Sequence, residues 1–254
     1  MRWKVIGQSV VGSSHVQFGK TCEDAQYHQI VQLVNDEEAL ICFASDGAGS
    51  AKYAEKASST AVLSAVRLAS NWLNEKEEVT DRVLIQLVEH IYDELEKMAN
   101  LAGVPKNEFS CTLLGCIVLP DQAGFLQIGD GAIIRNDGYG NFNHIWWPHN
   151  GEYQNTTAFL IDDPNLSNLK VKVIAEAIAE VGIFTDGLQM LTLNNENLSV
   201  HQPFFNNLFP LLRRAEDPDH LSILNSRLID YLSGPLINSR TDDDKTLLLA
   251  TRVK

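Results

Sequence analysis

A short apolar segment that ends in an Asp-Gly turn constrains this chain more than any other feature. Residues 40–44 (LICFA) are apolar, and the sequence DGAG at 46–49 comes one residue later, before an alanine-rich helical pattern. Because glycine adopts positive φ without penalty, Gly47 and Gly49 permit a sharp turn and a close approach of the backbone to a ligand. The segment therefore predicts a buried strand, a tight turn and a helix, with Asp46 at the tip of the strand.

Four other carboxylate clusters lie next to apolar strand patterns. Asp130-Gly131 and Asp186-Gly187 each follow such a strand, whereas Asp242–Asp244 and Glu23-Asp24 each precede one. An isolated Asp-Gly pair is usually an ordinary turn, and the five clusters can share one place only if the sheets bring these strand ends together. Buried carboxylates without partners are costly, so their convergence would require cations, and hard oxygen ligands suit Mg²⁺ or Mn²⁺.

The spacing of apolar residues predicts an α+β fold. Strands are predicted at 3–11, 27–34, 38–45, 112–119, 124–128, 132–136 and 246–252, and helices at 50–74, 80–100, 204–215 and 221–232. Short consecutive strands with tight turns imply antiparallel pairing. We therefore expect two packed antiparallel sheets with helices outside, in a single domain that covers residues 1–254 because no linker interrupts the chain. The aromatic segment 143–163 is either a flap over the site or a cluster that caps the core.

The composition disfavours several functional classes. With 33 acidic and 20 basic residues, a net charge of −13 and no Lys/Arg cluster, the chain lacks the basic surface of a nucleic-acid binder. The chain contains neither the GxxxxGK(S/T) motif of a P-loop protein nor the GxGxxG motif of a Rossmann protein, which excludes both classes of nucleotide binder. A phosphatase of the haloacid dehalogenase type needs a second aspartate two residues after its nucleophilic aspartate. This chain has Ala48 at that distance from Asp46, which argues against this class.

The chain also lacks the sequence signals of a disulfide framework and of membrane targeting. Its four cysteines have no CxxC spacing, which argues against a zinc site or disulfides. No run approaches the roughly 20 apolar residues that span a bilayer, and residues 1–7 do not lead into a signal peptide. We expect a cytoplasmic protein without a membrane partner.

Taken in order, the carboxylate motifs resemble those of the metal-dependent serine/threonine protein phosphatases of type 2C (the PPM family). They read CEDA at 22–25, DGAG at 46–49, SCTLLG at 110–115, GDGA at 129–132, TDGL at 185–188 and DDKT at 243–246. The resemblance covers almost the whole chain, and residues 12–15 and 151–156 are more similar to a bacterial branch. It implies a four-layer αββα sandwich. It also implies that phosphoserine and phosphothreonine in proteins are hydrolysed by a water activated at a dinuclear Mn²⁺ or Mg²⁺ centre.

The resemblance also implies a set of metal ligands. Asp46 would bridge the two ions. Glu23 and the backbone carbonyl of Gly47 would complete the shell of one ion, and Asp186 and Asp243 would complete the shell of the other. Few protein ligands are needed, because Mg²⁺ keeps several waters.

Other carboxylates would have supporting roles. Asp130 matches the family's Gly-Asp motif and with Asp186 can hold a third ion, although a simple turn residue is the alternative. Asp24 would accept a hydrogen bond from the reacting water and orient it. The two aspartates that flank Asp243 are expected to be solvated or to support the ligands, and a one-residue shift in register would exchange their roles with that of Asp243.

One departure from the family concerns the substrate phosphate. An arginine commonly stands four residues before the glutamate of the acidic pair and holds the phosphate, but this chain has Gly19 there. Lys20 and His15 are the alternatives in the same loop, and the sequence does not decide between them. Loss of the arginine also leaves open a pseudophosphatase that binds phosphoproteins without catalysis. The resemblance implies phosphorylated proteins and a cognate Ser/Thr kinase as partners of a monomer.

Overall fold

The computed structural model describes residues 2–34, 36–75, 78–136, 139–148 and 157–253. Their strands are β1 (Arg2–Val10), β2 (Ala25–Gln32), β3 (Glu38–Ser45), β4 (Leu113–Val118), β5 (Ala123–Ile128), β6 (Ala132–Asn136), β7 (Phe142–His144), β8 (Lys170–Ile174), β9 (Glu180–Phe184), β10 (Leu193–Asn194), β11 (Ser199–Val200) and β12 (Lys245–Val253). Their α-helices are α1 (Ser13–Gln17), α2 (Ala54–Glu75), α3 (Asp81–Ala102), α4 (Gln189–Thr192), α5 (Gln202–Arg214), α6 (Pro218–Leu232) and α7 (Pro235–Asn238). Single 3₁₀ turns lie at Lys106–Phe109 and Asp186–Leu188.

Two five-stranded sheets form the centre of the molecule. The first has the order β1-β12-β9-β6-β7 and the second β2-β3-β4-β5-β8, and all of their strand pairs are antiparallel. Strand β10 pairs with β11 in a separate small ribbon. The predicted α+β sandwich of two antiparallel sheets flanked by helices is confirmed, and the single-domain boundary stays a prediction.

The alternation of side chains along β3 explains the layers. All eight residues of β3 are buried. Leu40 and Cys42 belong to the core between the sheets, whereas Ile41 and Phe43 belong to the core under α2 and α3. Because successive side chains point to opposite faces and both faces are covered, the inner residues 39–44 of β3 are all apolar. A third core joins the outer face of the first sheet to α5 and α6.

The helix ends show where local signals were correct and where contacts changed them. Helix α3 begins after Thr80, whose hydroxyl accepts the backbone N–H of Val83, and ends before Gly103 at φ 67°. Helix α2 begins at Ala54, four residues later than predicted. The residues between these two starts instead bond to the segment before β4, where the Tyr53 N–H donates to the Glu108 carbonyl at 2.9 Å.

Several elements differ from the sequence prediction. The short elements α1, α4, α7, β7, β10 and β11 and the edge strand β8 were not predicted. In the aromatic segment, Trp146 packs on the core between the sheets and Trp147 on the core under α5 and α6. This supports the capping role for the two tryptophans, while residues 149–156 of the same segment lie outside the described residues. Among the described helices, none has the length and apolarity needed to cross a bilayer.

Candidate active site

The antiparallel register brings the carboxylate clusters to one edge of the sandwich. In such a pair the end of one strand lies beside the start of its partner. The end of β3, before Asp46, therefore lies beside the start of β2, after Asp24, with Ala25 opposite Ser45. In the other sheet the end of β9, before Asp186, lies beside the starts of β6 and β12. Two strand termini of the second sheet and three of the first thus lie next to carboxylates at this edge.

Three aspartates meet at this edge. Carboxylate oxygens of Asp46, Asp130 and Asp186 all lie within 4.8 Å of one another, and the three residues are half-buried. Burial, and then the charges of Asp24 and Asp186, raise the pKa of Asp46 well above its usual range. Burial and the charge of Asp130 raise the pKa of Asp186 to about 7. Without a counter-charge, these carboxyls are therefore disfavoured in their charged form.

The arrangement of these aspartates fits a divalent cation. Within the described chain no Lys, Arg or His forms an ion pair with any of the three. Asp130 accepts a hydrogen bond at Oδ2 from Thr157 Oγ1 at 2.6 Å, but its buried Oδ1 has no partner there. Carboxylate oxygens without a protein cation are the donor set that Mg²⁺ and Mn²⁺ use. Asp46, Asp130 and Asp186 are placed together as the sequence predicted.

The turn after β3 is fixed by backbone contacts. The Asp46 N–H donates to Thr112 Oγ1 at 2.8 Å, and the Gly47 N–H donates to the Glu23 carbonyl at 3.1 Å. A Cβ at Gly47 would lie 2.6 Å from the Ala54 carbonyl oxygen, so only glycine fits this approach. The sequence did not predict that Thr112 bonds to the Asp46 backbone, although Thr112 lies in the motif SCTLLG at 110–115.

Glu23 lies on the other side of the turn, next to Lys20 and His15. Lys20 Nζ is 3.1 Å from Glu23 Oε1 and donates to the Gly49 carbonyl at 3.0 Å. His15 Nε2 is 3.6 Å from Glu23 Oε2, an oxygen that is buried without a hydrogen-bond partner among the described residues. His15 Nδ1 is 3.0 Å from Asp244 Oδ2. His15 therefore connects two carboxylates, with a side chain that is 15% exposed.

Asp244 was left by the sequence between a solvated and a supporting position, and the structure gives it the supporting one. It is 3% exposed. Its Oδ1 accepts the Gly12 N–H at 2.6 Å, and its Oδ2 accepts the Glu23 N–H at 2.5 Å. Asp243 and Asp242 are exposed, and Asp243 remains near enough to raise the pKa of Asp186. Asp244 thus holds the loop before α1 and the acidic pair against the start of β12.

Asp24 lies in a buried polar cluster between the sheets. Its Oδ2 accepts hydrogen bonds from Thr185 Oγ1 and Thr246 Oγ1 at 2.7 Å each, while its buried Oδ1 has no partner among the described residues. Burial raises the pKa of this carboxyl to about 7, although the two hydroxyls act in the opposite direction. The two threonines were missed, since a sequence shows only that each lies near a predicted aspartate.

Comparison with known proteins identifies the family. The protein phosphatase 2C family model matches residues 11–233. The chain belongs to the protein phosphatase 2C family. A protein of Escherichia coli (strain K12) named serine/threonine-protein phosphatase 3 is 36% identical over 251 residues, which cover 98% of this chain and 98% of that protein. The predictions of the family, its bacterial branch and the enzyme class of protein serine/threonine phosphatase are confirmed.

Solved structures agree on the protein phosphatase 2C fold. The structure of the S. agalactiae serine/threonine phosphatase has a TM-score of 0.62 at 16% sequence identity, with 99% of this chain and 100% of that chain covered. Serine/threonine phosphatase Stp1 from Staphylococcus aureus has a TM-score of 0.60 at 15% identity, with 100% and 96% covered. At these identities the likeness concerns the fold.

Gly19 marks where this protein phosphatase 2C chain departs from the family motif. Its φ is 67°, and no atom lies within 4 Å of the position that a Cβ would take. An arginine would have space here but would adopt a strained backbone conformation. His15, which was predicted in the same loop, lies instead in α1. In residues 12–24, His15 and Lys20 are therefore the groups that can carry positive charge to the site.

Proposed function

We propose that this protein hydrolyses phosphoserine and phosphothreonine in proteins at a centre of two Mn²⁺ or Mg²⁺ ions. The observation that carries the proposal is the group of Asp46, Asp130 and Asp186, whose carboxylates lie within 4.8 Å of one another without a protein cation. When bound, two such ions neutralise the phosphoryl oxygens and lower the pKa of a water.

The proposed ligands follow the family motif. Asp46 would hold both ions. Glu23 and the Gly47 carbonyl would help to hold one of them, and Asp186 and Asp243 the other. Asp130, which lies close to Asp46 and Asp186, would help to hold a third ion. Glu23 Oε2 and Asp130 Oδ1 are buried and have no hydrogen-bond partner among the described residues, which supports a ligand role for both.

Asp24 is proposed to orient the attacking water. Thr185 and Thr246 both bond to Oδ2 of Asp24, which fixes the carboxylate and leaves Oδ1 as an acceptor. The hydroxyl of Thr246 is itself 2.7 Å from Ser9 Oγ, and the Thr246 N–H donates to Thr185 Oγ1 at 3.0 Å. Because two hydroxyls already fix the Asp24 carboxylate, it has little orientational freedom to lose when the substrate binds.

The chain's own contacts favour Lys20 over His15 as the phosphate ligand. Both ring nitrogens of His15 already face carboxylates, those of Glu23 and Asp244. Lys20 is 39% exposed and has three donors, two of which are used by Glu23 and Gly49. We therefore propose that Lys20 binds the phosphate and that His15 is a positioning residue for Glu23.

The function is tested by phosphate release from phosphoserine, phosphothreonine and phosphotyrosine peptides of one sequence. With Mn²⁺ or Mg²⁺ we expect release from the first two and its loss in EDTA. Undiminished release in EDTA would contradict the metal mechanism. Binding of phosphopeptides without release under any metal would favour the pseudophosphatase instead. The cognate kinase and the monomeric state stay predictions.

Two substitutions separate the roles of Lys20 and His15. Lys20→Met is expected to raise KM for the phosphopeptide about 10-fold or more, because hydrogen bonds to charged groups contribute about 1.5–3 kcal/mol. Mn²⁺ affinity should stay equal or rise, since a positive charge beside Glu23 is lost. His15→Asn should weaken Mn²⁺ binding about 10–100-fold, as for groups that orient metal ligands.

The measurements are Mn²⁺ titrations by calorimetry and steady-state kinetics at saturating Mn²⁺. At saturation His15→Asn should recover most of its kcat, with KM for the phosphopeptide near the wild-type value. If His15→Asn raised that KM and left Mn²⁺ binding unchanged, His15 would be the phosphate ligand.

A further inference from the structure

A second concave surface lies away from the aspartates, between α5 and α6 on the outer face of the first sheet. It encloses a cavity of about 310 Å³. Its apolar lining includes Ile6 of β1, Leu208 and Leu211 of α5, and Leu224, Leu228 and Tyr231 of α6. We call it the α5–α6 groove. Its volume is at the lower end of the roughly 300–1,000 Å³ of ligand sites, so it can accept a few side chains but not a folded domain.

The groove has a buried apolar floor, which includes Leu224 and Leu228, and two exposed apolar side chains beside it. Leu211 is 48% exposed and Tyr231 is 38% exposed. Leu224, Leu228 and Tyr231 follow one another at spacings of four and three residues, which places them on one face of α6. Grooves of this kind accept short segments whose apolar side chains enter at matching intervals.

The polar rim of the groove is cationic, although the chain has a net charge of −13. Arg214, His220 and Arg227 line it, and no carboxylate among the described residues does. Within the described chain none of these three side chains forms an ion pair. The adjacent Arg213 differs, because it binds both carboxylate oxygens of Glu180 at 2.7 Å.

Nearby positive charge strengthens this contrast. Lys4 Nζ donates to the Arg213 carbonyl at 2.7 Å, on the same strand as Ile6. The groove therefore combines an apolar floor with arginines that have no acidic partner. Charge complementarity points to a ligand that supplies both carboxylates and large apolar side chains.

We propose that the α5–α6 groove binds an acidic peptide segment of a partner protein. Two or more Leu, Ile or Phe side chains of the segment enter the cavity, and its Asp or Glu side chains pair with Arg214 and Arg227. A short peptide fits better than a small amphiphile because the apolar row of α6 continues over three positions.

The distance to the aspartates sets the geometry of such a partner. Ile6 lies in β1 and Gly12, which bonds to Asp244, lies six residues later. Six extended residues span about 20 Å. A substrate that used both surfaces would therefore need roughly six or more residues between its phosphorylated residue and its docking segment. Use of both surfaces by one substrate rests on the proposed function, whereas binding of a peptide to the α5–α6 groove does not.

The test is a selection of random ten-residue peptides, displayed on phage, against the full chain. Enriched peptides are labelled with fluorescein, and their affinity is measured by anisotropy. We expect sequences with at least two large apolar and two acidic residues. Their affinity should fall at least 10-fold in Arg214→Glu/Arg227→Glu and in Leu211→Asp. The matched control is Arg82→Glu/Lys97→Glu, which reverses two exposed charges of α3 and should leave the affinity unchanged.

The remaining measurements make the result decisive. Hydrolysis of p-nitrophenyl phosphate and the unfolding midpoint should be the same in all these variants, which separates a docking defect from a folding or catalytic defect. Enriched peptides that bind the charge-reversed protein equally well, or an absence of acidic-apolar binders, would overturn the proposal. So would a dimer in sedimentation that the charge reversal dissociates, or binding of dodecanoate alone. A phosphopeptide fused to a selected peptide should have a KM at least 10-fold lower than the phosphopeptide alone. If only this last result failed, the partner that binds the groove would not be a substrate.

Discussion

The substitution Asp46→Asn is expected to lower the rate of p-nitrophenyl phosphate hydrolysis in saturating Mn²⁺ by more than about 100-fold. Removing a group that merely orients a metal ligand costs about 10–100-fold, and Asp46 is proposed to bridge both ions. Its carboxylate lies within 4.8 Å of those of Asp130 and Asp186. An amide keeps the shape of the side chain but removes the charge that holds two cations.

The control for this variant is Asp242→Asn. Asp242 is exposed in the same acidic segment and has no proposed contact with the ions, so its activity should remain within about two-fold of wild type, as expected of a surface substitution. Wild-type protein in EDTA should match Asp46→Asn, and added Mn²⁺ should restore the wild type alone. If Asp46→Asn retained activity at high Mn²⁺, the bridging role would be wrong.

Mn²⁺ is expected to raise the unfolding midpoint of the wild-type protein strongly. A ligand at 100 times its Kd stabilises the native state by about 2.7 kcal/mol. For a chain of this size each kcal/mol shifts the midpoint by about 2–4 °C, so one such site predicts a rise of about 5–10 °C. The physical cause is the cost of keeping these carboxylates charged without a cation, because burial and then repulsion from Asp130 and Asp243 raise the pKa of Asp186 to about 7.

The same repulsion predicts an opposite effect in metal-free protein. In EDTA, Asp186→Asn should unfold at a higher temperature than wild type, because one of the interacting buried charges is removed. In Mn²⁺ the order should reverse. Differential scanning calorimetry of both proteins in both conditions tests this crossover. If Asp186→Asn were less stable than wild type in EDTA, the carboxylates would be stabilised by other contacts and the metal-site argument would fail.

Local sequence rules were sufficient for much of the fold. The apolar run of β3 and the glycines after Asp46 are strong signals because strand burial and positive φ depend on a few consecutive residues. Likewise, Thr80 and Gly103 flank α3 because capping is satisfied within one turn. Antiparallel pairing then requires strand ends and strand starts to meet. The convergence of Asp46, Asp130 and Asp186 could therefore be predicted.

Other features depend on partners far away in the chain. Three consecutive aspartates at 242–244 have the same local propensities, and the burial of Asp244 is decided by Gly12 and Glu23, which lie 232 and 221 positions away. Similarly, α2 begins at Ala54 because the preceding turn bonds to the segment before β4. The pairing of His15 with two carboxylates has the same long-range origin.

By itself, the sequence determined the strands that carry the aspartates, the glycine turns that follow them and the phosphatase family to which the motifs belong. The tertiary structure alone decided which aspartate is buried beside His15, which oxygens of Asp24 and Glu23 have no hydrogen-bond partner among the described residues, and that α5 and α6 leave an apolar groove with a cationic rim. The reason is physical, because backbone conformation responds to neighbours within a few residues. Burial, charge pairing and open surface are instead set by segments that meet only after the chain has folded.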